Sequence, residues 1–210
     1  EKIIELKDKE TYWNDFAILV RSNNAGTDFA QALERHKIPY QFLALSGLYK
    51  KLVILDMLAY LRVIDNPFDS PSMYRLLTLE MHGLSEHTLI ELNHLARRKG
   101  KSLYEACKMS QSFSQFEPHE ADGLRQLLDQ IAIFQKEART RQISELFILI
   151  AKDSGYLEWL NQKDEREKQE GFGFLQQFYQ RQKSFEKRHE HPVLHHFLSE
   201  FEQERDAGEE

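Results

Sequence analysis

Phe16-Ala17-Ile18-Leu19-Val20 is an unbroken apolar run, set between Trp13-Asn14-Asp15 and Arg21-Ser22-Asn23-Asn24. Such a run predicts a strand covered on both faces, as in a parallel sheet. Thr27 can cap a helix after it, with Phe29, Leu33 and His36 on one face. Ile38-Pro39-Tyr40-Gln41-Phe42-Leu43 then reads as a second strand. Strand, helix and strand at this spacing form an α/β unit. One such unit cannot bury a two-faced sheet, so the rest of that sheet is expected elsewhere in a longer parent chain.

From there on the apolar spacing is helical. Ile54, Leu58 and Leu61 mark one stripe, stopped at Asn66-Pro67. Ser70-Pro71 predicts a helix start with the serine as cap and the proline in the first turn. Ser85 predicts another, carrying Leu89, Leu92 and Leu95 and ending at Gly100. Ser102 and Glu105 have the spacing of a capping box. Residues 110–120 are polar and irregular, and a domain boundary is placed there. Beyond it run stripes at Leu124, Leu128 and Ile131, at Ile143, Phe147 and Ile150, and at Leu175, Phe178 and Phe185. Residues 161–170 are nearly all polar and read as an exposed loop. His191-Pro192 breaks the long helix, and Leu194, Phe197 and Phe201 mark the last one. No repeat at solenoid spacing is present. The fold class is mixed and mostly α.

The 210 residues lie between one domain and two, and 41% are apolar, which excludes a disordered chain. The net charge of −6 argues against an autonomous nucleic-acid-binding domain, which usually carries a basic excess. Any DNA contact must come from local patches. The single cysteine, Cys107, excludes an internal disulfide and fits a reducing cytoplasm. No signal peptide opens the chain and no apolar run approaches the roughly 20 residues of a membrane span. Beginning at Glu1 and ending in an acidic tail, the chain reads as an excised piece.

Candidate chemistry is sparse. There is no phosphate loop of the form G-x-x-x-x-G-K-[ST], no Cys-x-x-Cys pair and no clear Ser/His/Asp order. His189, His191, His195 and His196 cluster, but nothing completes a ligand set, so they read as a solvated helix break rather than a metal site. Cys107 reads as a small core residue. Arg97-Arg98-Lys99 with Lys101 is the densest basic patch and falls at a helix end, where cations also suit the helix dipole. Lys50-Lys51 is a weaker one. Arg21 lies just past the first strand, where ligands bind in open α/β sheets, and its planar fork of donors suits a phosphate.

The run Asp15-Phe16-Ala17-Ile18-Leu19-Val20-Arg21-Ser22-Asn23 resembles motif IV of superfamily 1 helicases of the UvrD, Rep and PcrA kind. The likeness continues through Ala32-Leu33, Ile38-Pro39-Tyr40 and the stretch from Asp56-Met57-Leu58-Ala59-Tyr60-Leu61-Arg62 to Asn66-Pro67-Phe68-Asp69. Arg75 and His82-Gly83-Leu84-Ser85 match the family's single-strand and junction segment loosely. Together these cover about residues 15 to 95. Lys152-Asp153-Ser154-Gly155-Tyr156 matches in layout.

The resemblance implies that residues 1–112 begin the second RecA-like motor domain, 2A, with a partial α/β unit of a few parallel strands. Residues 113–210 would be the all-helical 2B insertion. It implies a piece of an ATP-dependent DNA translocase moving 3′ to 5′, which uses ATP with Mg2+ in the parent but neither binds it nor acts alone. Arg21 would contact the γ-phosphate, sensing it and stabilising charge in hydrolysis, with Val20 beside the adenine. Thr78, His82, Gly83, Leu84, Ser85, Arg97 and Arg98 would face DNA. Implied partners are single-stranded and junction DNA and the other motor domain of the same chain, with no membrane. Several positions depart from the family. Val20 replaces an adenine-stacking Tyr, and Val53 replaces a Glu before Asp56. Thr78 and His82 replace an Asn and an Arg, and Ser85 replaces a Gly, although a helix N terminus there can still hold a phosphate. The alternative readings are a subunit of a helicase-nuclease, or a non-catalytic protein-interaction or regulatory module with its partner on the helical domain.

Overall fold

The computed structural model describes residues 2–7, 11–20, 29, 32–40, 48, 50–110 and 116–208. Among the described residues, a short α1 (Lys2–Leu6) and a 3-10 turn at Trp13–Asp15 are followed by helices. They are α2 (Leu52–Asp65), α3 (Ser70–Leu77), a 3-10 turn at Glu80–His82, α4 (Glu86–Lys99) and α5 (Leu103–Ser110). Then come α6 (Pro118–Glu137), α7 (Ile143–Asp153), α8 (Tyr156–Asn161), α9 (Glu165–Arg188) and α10 (Leu194–Gly208). The mostly helical expectation holds. No strand forms among the described residues. Phe16 is extended at φ −101 and ψ 134, but the run it opens is uncovered, with Leu19 95% exposed. Arg21, Thr27 and residues 41–43 lie outside the described residues.

The centre of the molecule is α2. Its apolar residues exceed one stripe: every residue from 56 to 61 is buried, and α3, α6, α7, α9 and α10 all pack on it. A helix enclosed in this way must be apolar all round, and LVILDMLAYLRVID is so except at Asp56, Arg62 and Asp65. Asp56, 4% exposed, is satisfied by two other elements. Arg75 of α3 donates Nε to its Oδ1 at 2.8 Å, and Tyr156 of α8 donates its hydroxyl to Oδ2 at 2.6 Å. Burial raises the Asp56 pKa above the ordinary carboxylate value, and the Tyr156 and Arg75 donors pull it part of the way back.

The turn from α2 to α3 follows from its residue types. Pro67 cannot continue a helix. The Asn66 side chain accepts the Phe68 amide at 3.0 Å, and Asp69 accepts the Ser72 amide at 3.0 Å. Asp69 is therefore the cap of α3, and Ser70, expected as the cap, is its first residue. Ser85 does cap α4, and Ser102 with Glu105 makes the expected reciprocal box before α5. The loop expected over 161–170 is shorter, because Asp164 accepts the Glu167 amide at 2.9 Å and starts α9. That segment is an exposed first turn of helix, and its polarity reflects solvent rather than irregular backbone.

A single buried cluster runs from Leu48 to Phe201 and includes residues on both sides of 111–115. Phe178 is its aromatic hub, meeting Phe147 and Phe201 edge-on at 5.4 and 5.5 Å between centroids. Arg181, Arg188 and Arg62 tie α10 down through Glu200, Glu204 and Glu202. Cys107 is fully buried, as expected of a core residue, and its thiol is pushed up to about 12 by burial. No described helix is long and apolar enough to cross a membrane.

Tyr156→Phe removes one donor from a buried carboxylate while leaving the ring in place. It is expected to cost about 1.5–3 kcal/mol, the worth of a hydrogen bond to a charged group. In an Asp56→Asn background the same change should cost clearly less. Urea denaturation of the two single variants and the double variant measures both.

Candidate nucleic-acid interface

Residues 78–85 form a tight connection between α3 and α4. Thr78 ends α3, is exposed, and donates its hydroxyl to the Arg75 carbonyl at 2.7 Å. Glu80–His82 make the 3-10 turn, and Gly83 leaves it at φ 65, in the left-handed region that favours glycine. Leu84 is half-buried against the core and Ser85 is exposed.

His82 points inward. It is 6% exposed, and its Nε2 lies 3.3 Å from the Tyr60 hydroxyl. Burial lowers its pKa to about 4, so the ring is neutral near pH 7. The side chain has the place of a core residue, which the residue type of a lone histidine does not reveal. Its carbonyl sets the spacing to α6: a Cβ at Gly123 would lie 2.2 Å from the His82 oxygen. Glycine at 123 is what lets α6 approach so closely.

Ser85 has two roles. Its hydroxyl accepts the Thr88 amide at 3.3 Å, the expected cap. Its own amide donates to Glu120 Oε1 at 2.7 Å, and the Thr88 hydroxyl donates to the same oxygen at 2.9 Å. Glu120 Oε2 accepts the Glu117 amide at 3.2 Å, closing a capping box on α6. Burial alone would raise the Glu120 carboxyl, but the Ser85, Thr88 and Glu117 donors bring it down to about 2. Sequence reasoning missed this residue. Glu three places after Glu117 is a cap signal, but its partner at 85 is 35 residues away.

Arg97 and Arg98 occupy the last turn of α4 with Lys99, all exposed. None of the three has an ion pair with a described residue. Lys101 does pair, with Glu105 at 3.2 Å. The expected site residues thus fall at the two ends of α4, Thr78 to Ser85 before it and Arg97 and Arg98 at its close. Fourteen residues of helix set the ends about 20 Å apart. Val20 is 38% exposed, and Arg21 lies outside the described residues. Of the histidine cluster, His195 pairs with Asp65 at 2.9 Å and His189 with Glu200 at 3.5 Å. Among the described residues no group of three or more side chains could hold a metal.

The likeness carried by the residues of α2, α3 and the turn before α4 is one of family. Residues 1–207 match the model of the UvrD-like helicase C-terminal domain, and the chain belongs to that family. It is 24% identical over 87% of its length to the ATP-dependent DNA helicase PcrA of Leuconostoc citreum. It is 29% identical over 70% to the ATP-dependent DNA helicase Rep of Buchnera aphidicola. It is 30% identical over 73% to an ATP-dependent helicase/nuclease subunit of Oceanobacillus iheyensis. The chain spans 24%, 22% and 12% of the length of these relatives.

Two acid-side windows follow from the site. His82 goes from an ordinary 6.5 to about 4 on folding. Below pH 6.5 the unfolded chain therefore takes a proton that the folded chain refuses, and stability falls until about pH 4. Glu120 is held at about 2 against an ordinary 4.5, so its stabilisation is complete above pH 4.5 and is lost as pH drops toward 2. Denaturant midpoints measured across pH should show the upper limb flattened by His82→Gln and the lower limb flattened by Glu120→Gln.

Proposed function

We propose that this chain is the start of the second motor domain, with its helical insertion, of an ATP-dependent 3′-to-5′ DNA helicase working on single-stranded and junction DNA in the cytoplasm. The family match over residues 1–207 carries the reading. The relatives' names as ATP-dependent DNA helicases support it. In this reading residues 1–112 belong to domain 2A and 113–210 to the insertion 2B. The division is one of topology, since described helices from both parts share one core. The exposed apolar run at 16–20, which forms no strand here, would become the first strand of an α/β unit when other segments of a parent protein complete its sheet.

ATP with Mg2+ would bind between the two motor domains. Its role is to supply the phosphoryl bond whose cleavage drives stepping. This chain's contribution is Arg21, whose guanidinium would meet the γ-phosphate from the far side and stabilise charge on its oxygens. Val20 offers the adenine an aliphatic contact and no stacking ring. DNA would meet Thr78, Gly83, Leu84, Ser85, Arg97 and Arg98, with His82 contributing through backbone alone because its ring faces the core. A second reading, a component of a helicase-nuclease, is favoured by the 30% identity to a protein of that kind. In a purely regulatory module the helical part would bind a protein instead.

The chain carries no phosphate loop, so alone it is expected to show no ATP hydrolysis. In a parent protein that hydrolyses ATP, Arg21→Ala should reduce DNA-stimulated turnover by about a thousandfold or more, as loss of a γ-phosphate arginine does, with DNA affinity unchanged. An Arg21→Ala parent with undiminished turnover would refute the assignment. For DNA contact, Arg97→Ala and Arg98→Ala should each lower the log–log salt slope of single-strand binding by about 0.7. Binding that is absent even at low salt favours the regulatory reading.

A further inference from the structure

We infer that Phe68 is a base-stacking platform for single-stranded DNA, set beside the basic last turn of α4. One base rests on the ring while neighbouring phosphates meet Arg97, Arg98 and Lys99. The inference rests on the DNA-binding reading above and adds to it the residue that holds a base.

The fold makes no use of the Phe68 ring. It is 66% exposed, the most of any described aromatic residue from 52 onward. An apolar residue just ahead of a helix cap often packs against the one five places further on. Here that residue is Met73, which is fully buried, while Phe68 belongs neither to the core nor to the half-buried residues packed on it. Among the described residues the ring meets no other ring and no cation. Tyr104 differs, being half-buried with Lys108 Nζ over its ring at 5.6 Å. The backbone at Phe68 is nonetheless fixed. Its amide donates to the Asn66 side chain at 3.0 Å, and the Asp69 amide donates to the Asn66 carbonyl at 3.1 Å. A ring presented from a fixed turn loses less freedom when a base stacks on it.

A solitary exposed phenylalanine is ordinary; the surroundings set this one apart. The Ser70 hydroxyl accepts the Leu103 amide at 3.0 Å, which ties the start of α3 to the start of α5. Phe68 and Lys101 each lie two residues from that bond, a span of at most about 7 Å on either side. The connection from α4 to α5 therefore runs close to the Phe68 turn, with Arg97, Arg98 and Lys99 just before it. Acidic side chains on these turns are already engaged. Asp69 accepts the Ser72 amide and hydroxyl, Glu105 accepts the Ser102 amide and the Lys101 ammonium, and Asp65 pairs with His195. Arg97, Arg98 and Lys99 are exposed and have no ion pair with a described residue. Cations beside an uncovered ring match what a single strand offers, phosphates together with the π faces of unpaired bases. In a duplex those faces are hidden in the stack. Every base has such a face, so the site takes single strands with little regard to sequence.

The test is carried out on the 210-residue chain with a single-stranded oligothymidylate and an abasic oligomer of the same length and charge. The unaltered chain should bind the base-bearing oligomer about fivefold or more tightly than the abasic one, the worth of one stacked base. Phe68→Ala should remove that preference and leave the log–log salt slope unchanged, because no phosphate contact is lost. Phe68→Leu, which keeps apolar bulk without a π face, should do the same. Phe68→Trp should keep the preference, with added tryptophan fluorescence that the base-bearing oligomer quenches. Arg98→Ala should weaken both oligomers alike. If Phe68→Ala and Phe68→Leu bind both oligomers as the unaltered chain does, the platform is refuted while the DNA reading stands. If the unaltered chain binds neither oligomer at low salt, the DNA reading fails and the platform with it.

Discussion

The stretch of α2 from residue 56 to 61 is buried throughout and leaves no surface on which to place a charge, yet it opens with Asp56. The rest of the helical body is arranged to make Asp56 tolerable. A buried carboxylate left without partners would cost several kcal/mol or give up its charge. Here α3 brings a guanidinium and α8 a phenol, the latter from 100 residues further along the chain. Because those donors come from elements on either side of residues 111–115, neither part is complete without the other. The cross-link also fixes direction, since Arg75 reaches Asp56 only if α3 folds back along α2. The Asn66, Pro67 and Asp69 turn produces that reversal.

The stretch that most resembles motor proteins is, in its described part, largely a set of structural contacts. Asp56 is the buried acceptor and Arg75 its partner. Tyr60 meets His82, Arg62 meets Glu202, Asn66 and Asp69 shape the turn. None of these needs nucleotide or DNA to account for it. The signature identifies the family because a helix enclosed on all sides tolerates few polar residues, and each must have a particular partner. Arg21, on which the proposed nucleotide role rests, lies outside the described residues.

Helix positions were legible because their signals are local. Ser85, Ser102, Gly100 and the Leu and Phe stripes act within a turn or two, and the periodicity reports them. Asp69 was missed as a cap because Ser70 next to Pro71 satisfies the same rule, and backbone geometry chooses between adjacent candidates. The start of α9 was missed because an exposed polar first turn carries no apolar stripe. At the candidate interface the limit was different. His82 and Glu120 are both ordinary polar residues by type, and what each does depends on elements that arrive later in the chain. Burial of one and the distant partners of the other are tertiary facts with no periodic trace.

Net charge misleads here for a related reason. A formal −6 counts every carboxylate alike, yet Glu200, Glu202 and Glu204 are spent on Arg181, Arg188 and Arg62 within the α9 and α10 region. Such pairs cancel locally and project little field beyond a Debye length, about 8 Å at physiological salt. Cations without partners matter more to a polyanion than the sum does. Among the described residues, the last turn of α4 holds three of them in a row, while its first turn holds the buried carboxylate of Glu120. An acidic chain can in this way present a basic point of contact, because Glu200, Glu202 and Glu204 are paired with cations while Arg97 and Arg98 have no ion pair among the described residues.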